Sequence, residues 1–113
     1  MSIDLINDIS AKNKLLETAV REFGGRGRSH AQAERDYRIA LSQKILEERD
    51  KGTPVTIISD VCRGSASIAK LKFERDCAEV SYKAAIEAIN MYKLQIRLLE
   101  AQVEREWGQA RRS

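Results

Sequence analysis

An all-α fold is predicted by three observations. Charged residues make up 33% of the 113-residue chain and aromatics only 5%, the balance of long solvated helices rather than of a sandwich or an α/β domain. Apolar residues recur at spacings of three and four, and from Ser65 to Trp107 neither glycine nor proline interrupts them. The expected architecture is one domain over residues 1–113: an elongated helical hairpin, or coiled-coil-like bundle, with a long C-terminal helix and a first arm broken near Gly24-Gly25.

The first helix is expected over residues 3–23. Its apolar line is Ile6, Ile9, Leu16, Val20 and Phe23, with Asn13 as a polar intruder. Ser2 suits the N-cap, Asp4 favours the helix dipole, and Gly24 and Gly25 stand where C-cap glycines belong. Ser29 and Gln32 then have the form of a capping box, so a second helix is expected over 30–50, inward along Ala33, Tyr37, Ala40, Leu41 and Ile45. Carrying the first register across the glycines brings Gly27, Glu34 and Lys44 onto the apolar line, which argues for a break. Whether that break is a kink or a full turn is open; a full turn would make a three-helix bundle.

Gly52 closes the second helix, Thr53 is a candidate N-cap with Pro54 at the first helical position, and Gly64 is placed as a C-cap. A short helix over 54–62 follows, with Val55, Ile58 and Val61 or Cys62 inward. Four β-branched residues in a row at Val55–Ile58 would also suit a strand, but no second strand exists to pair with it. The last helix is expected over 65–107, with a tail at 108–113. Its length, on the order of 63 Å, matches the two earlier helices laid end to end.

This last helix carries two apolar lines. One runs Ile68, Leu71, Arg75, Ala78, Tyr82, Ala85, Ile89, Tyr92, Ile96, Leu99 and Val103, a heptad-like seam with one charged member. The other runs Phe73, Cys77, Val80, Ala84, Met91, Leu94, Leu98 and Ala101, about 200° away at ~100° per residue. A single partner arm covers one line and leaves several hundred Å² of apolar surface on the other. The expected self-association or partner face is therefore Phe73, Val80, Met91, Leu94 and Leu98, with the roles of the two lines open to exchange.

The chemistry of catalysis finds little support. Ser or Cys nucleophiles need a histidine nearby, and the chain has only His30. Cys62 and Cys77 form no CxxC pair, so no metal site and no cofactor is expected, and the carboxylate clusters read as solvated helix surface. No enzymatic activity is expected. The net charge of +3 neither demands nor excludes a polyanion. Arg26 and Arg28 among glycines, with Arg111 and Arg112 at the end, are the candidate nucleic-acid contacts, either as a phosphate-holding loop or as plain hinge and tail. Asp4 and Asp8 stand where a signal peptide needs positive charge, and no apolar run approaches a membrane span, so a cytoplasmic protein is expected.

The words "GTPVTIISDVCRG", "ERDCAEVSYKAAIEAIN" and "LEAQVEREW", with "AERDYRIAL" upstream, resemble a group of small helical proteins carried by bacterial phages and prophages. The resemblance covers about half the chain and implies a phage accessory protein, with no assigned activity and no functional residues to carry over. The expected function is that of an oligomeric helical structural or adaptor protein. The alternative is an oligomeric DNA- or RNA-associated protein.

Overall fold

The computed structural model describes residues 2–112, with side chains from residue 3 onward. Its helices are α1 (Ser2–Asp50), α2 (Val55–Arg63) and α3 (Ala66–Arg112), and no strand occurs among the described residues. The all-α class and the long C-terminal helix stand as expected. The cap expected of the Ser2 side chain lies outside the described side chains.

The largest correction is to α1. The helices expected over 3–23 and 30–50 are one helix, which carries a bend but does not stop at the glycines. A full turn, and with it the three-helix alternative, is excluded. Contacts nevertheless divide the chain into two compact units, and the boundary on α1 falls between Gly24 and Gly25. One unit is the chain up to Gly24 together with α3 from Lys83 onward; the other is Gly25–Tyr82.

The reason α1 continues lies in its inward positions. Leu5, Ile9, Lys12, Leu16, Ala19, Phe23, Arg26, His30, Ala33, Tyr37, Ala40 and Lys44 are buried or half-buried, and they keep the spacing of three and four through the glycines. Four of these positions are basic, which the apolar pattern alone reads as lost phase. Ile6 and Val20, expected inward, are exposed. The expected capping box is also absent, since Gln32 instead donates to the Asp36 carboxylate, at 2.9 Å.

Within the Gly25–Tyr82 unit the basic positions have specific partners. Arg26 donates from Nη1 to the Ser81 carbonyl at 3.2 Å, and the His30 ring stacks on Tyr82 with centroids 5.8 Å apart. A Cβ at Gly27 would stand 3.1 Å from the Tyr82 ring, so glycine lets the aromatic lie against the helix. Three helix-interior glycines cost about 1 kcal/mol each in propensity, and tertiary packing overrides that cost. Arg75, the charged member of the α3 seam, lies 4.6 Å above the Tyr37 ring and 3.4 Å from Glu34. Glu34 also accepts from Arg38 Nε at 2.6 Å, and chiefly that bond holds its carboxyl below the usual range.

The α1–α2 connection is a Schellman ending. Thr53 N–H donates to the Glu48 carbonyl and Gly52 N–H to that of Arg49, with Gly52 at φ +86°. The Thr53 hydroxyl turns back to the buried Glu48 carboxylate at 2.7 Å and so does not cap α2. Pro54 takes the N-cap position and α2 starts at Val55, one residue later than expected. That same hydroxyl bond is the main cause of the lowered Glu48 pKa, with Lys51 and Lys44 adding to it. Gly64 is the C-cap of α2 as expected, and the Ser65 hydroxyl donates to the Cys62 carbonyl at 2.8 Å.

Val55 points outward against expectation and Val61 is exposed, so the inward residues of α2 are Ile58 and, of the two alternatives, Cys62, which is fully enclosed. With Tyr37 and Ile68 they form the core of this unit. In the other unit Ala19, Ala85 and Ile96 are the buried apolar residues among those described, and Leu16, Phe23, Tyr92 and Leu99 are half-buried. The expected tail is helical as far as Arg112, because Gly108 costs only one propensity step and nothing ends the turn there.

Candidate interaction surface

The two lines of α3 separate cleanly by exposure. Every member of the Ile68–Val103 seam is buried or half-buried, and every member of the other line is exposed. Phe73 and Val80 are each 68% exposed, Leu98 60%, Leu94 51% and Met91 47%, far beyond what inward-facing residues retain. Phe73, Cys77 and Val80 belong to the Gly25–Tyr82 unit; Ala84, Met91, Leu94, Leu98 and Ala101 belong to the other. Scattered exposed apolar residues are ordinary, but a line at helical spacing along one helix face, interrupted at Glu87 between Ala84 and Met91, is not.

Further exposed apolar groups escaped the sequence pattern. Trp107, half-exposed, lines an open cleft of about 500 Å³ with Ile6, Ile9, Val103, Arg97 and Glu100. Sequence alone marked Trp107 only as the end of the helix, and its register position beside Val103 was the available signal.

The basic candidates have other surroundings than an anion would need. There is no helix N-terminus at His30, because residues 24–30 are helix interior and their N–H groups lie inside a continuous helix. Arg26 is half-buried against the Ser81 carbonyl. Arg28 is exposed, but the depression it lines also contains Asp36 and Glu74, whose carboxylates oppose a phosphate. Arg111 and Arg112 lie in the last turn of α3, where positive charge offsets the helix dipole, and they belong to the other unit.

His30 is stacked on Tyr82, Cys62 is enclosed and Cys77 is exposed. Among the described residues no group of three His, Cys, Asp or Glu side chains converges as metal ligands would, and no helix is long and apolar enough to cross a membrane. Comparison with protein-family models, with curated proteins and with solved structures finds no match to this chain.

Proposed function

We propose that this chain is a non-enzymatic helical structural or adaptor protein that self-associates through the outer face of α3. The carrying observation is the exposed line of Phe73, Val80, Met91, Leu94 and Leu98 on a helix whose opposite seam is already packed. Burying a leucine or methionine side chain is worth about 1.5–3 kcal/mol, so even half of this line supplies a real driving force for association. The sequence resemblance adds a phage or prophage accessory role in the host cytoplasm.

Light scattering on the eluting protein, across about a hundredfold range of concentration, tests this reading. A mass that rises above the monomer is expected, and Leu94→Glu with Leu98→Glu should return a folded monomer. A wild-type monomer throughout would overturn it. A gel-shift titration at two salt concentrations tests the nucleic-acid alternative, whose binding must weaken steeply with salt; no retardation at low salt ends it.

A further inference from the structure

We infer that the occupant of the outer face from Ala84 to Gly108 is a second copy of this chain, lying antiparallel about a two-fold axis level with Ile96. The inference rests on the self-association reading above, and it adds the direction and register of the pairing.

All of the residues involved lie on α3 within the unit that starts at Lys83. On the outer face, moving outward from Ile96, Leu94 and Leu98 are each two positions away, Met91 and Ala101 five, Glu87 and Arg105 nine, and Ala84 and Gly108 twelve. An isologous antiparallel contact places each of these against its opposite number in the second copy. Leu94 then meets Leu98, Met91 meets Ala101, Glu87 meets Arg105 and Ala84 meets Gly108, each pair occurring twice.

Two features select this register. The first is shape: Ala101 and Gly108 help to line a shallow depression with Glu104, Arg105, Gln109 and Arg112, and a Cβ at Gly108 would meet nothing within 4 Å. The long Met91 side chain of the second copy faces small Ala101 beside that depression, so large meets small. The second is charge. A parallel in-register pair sets Glu87 on Glu87 and Arg105 on Arg105, and an antiparallel pair centred on Glu87 again sets that carboxylate against itself. Only the axis at Ile96 brings Glu87 to Arg105, both of which are exposed in the single chain. Arg97 flanks the axis and has Glu100 one turn along the same helix to offset its charge.

The size of the contact predicts its strength. Residues 84–108 span roughly 36 Å of helix, and a strip about 10 Å wide gives on the order of 400 Å² per copy. The total of about 800 Å² is below the ~1,000 Å² of stable interfaces, so the dimer is reversible and concentration-dependent.

Sedimentation equilibrium on the full chain, from about 10 μM to about 1 mM, measures it. Glu87→Arg and Arg105→Glu should each raise the dissociation constant about tenfold, since each sets two like-charge pairs in the dimer; the double variant Glu87→Arg/Arg105→Glu should return it to within about threefold of the wild type. These are exposed helical positions, and circular dichroism confirms the fold of each variant. A second probe needs no charge: with Cys77→Ser as background, Leu94→Cys/Leu98→Cys should oxidise to a covalent dimer and Leu98→Cys alone should not. Dimers without charge-swap rescue, tightening by Glu87→Gln, or crosslinking by Leu98→Cys alone would overturn the register while leaving self-association intact. A monomer at every concentration would overturn both.

Discussion

The two compact units solve the same packing problem with different numbers of helices. In Gly25–Tyr82, α2 closes over α1 and α3, and Ile58, Cys62, Ile68 and Tyr37 are buried together. In the other unit two helix segments pack together, and Ala19, Ala85 and Ile96 are the buried apolar side chains among the described residues. Large apolar side chains stay exposed in both units, Leu46, Val55, Phe73 and Val80 in the first and Ile6, Val20, Met91, Leu94, Leu98 and Trp107 in the second. A pair of helices has one shared seam, and whatever apolar surface lies off that seam has nowhere to go. The three-helix unit therefore has the larger enclosed core, while the apolar surface left off the seams is shared by both units.

The sharpest way to break this comparison is to excavate each core in turn. Ile68→Ala should cost about 2–5 kcal/mol, since Ile68 is almost wholly enclosed, and Ile96→Ala should cost less because the thinner two-helix packing can collapse around the gap. Denaturant midpoints measure both, and an Ile96→Ala loss larger than that of Ile68→Ala would reverse the ranking. Hydrogen exchange in the wild-type chain should likewise be faster in residues 3–20 than in 58–72.

Next in size are the glycines at the boundary. Gly24→Ala and Gly25→Ala meet open space on a continuous helix and should each stabilise by about 0.5–1 kcal/mol. Gly27→Ala gains the same propensity but pushes its methyl to 3.1 Å from the Tyr82 ring, so its thermal midpoint should fall below those of the other two variants. Equal gains at all three positions would mean that Tyr82 does not need the close approach.

The smallest effect is with pH. Glu34 and Glu48, both in the three-helix unit, have carboxyl pKa values lowered in the fold, by the Arg38 and Thr53 hydrogen bonds respectively. Their contribution is fully present above the ordinary carboxylate range and is lost as pH falls from about 4.5 through the lowered values. Thr53→Val should shrink the acid-induced loss by removing the bond that lowers Glu48. An unchanged acid limb in that variant would place the pH dependence elsewhere.

Much of this was legible in the residues. The two lines of α3 could be read because their members are apolar at nearly every position, with Arg75 in one and Glu87 in the gap of the other out of character. The Gly52 stop could be read because a Schellman ending demands a left-handed residue there. The inward line of α1 was hidden for the converse reason. Lys12, Arg26, His30 and Lys44 occupy its seam, and no periodicity count treats such residues as inward-facing until the carbonyl, ring or solvent that receives each polar end is in view.

What the residues determined by themselves was therefore the helical class, the break-free run to Trp107, and the existence of two apolar lines on one helix. What only the tertiary structure decided was which line is buried and whether α1 stops at its glycines. Local propensity argued for an end at Gly24, worth about 1 kcal/mol per glycine. The contacts of Arg26, Gly27 and His30 with Ser81 and Tyr82, more than fifty positions away in sequence, carried the helix through, and such contacts exist only once the chain has folded back on itself.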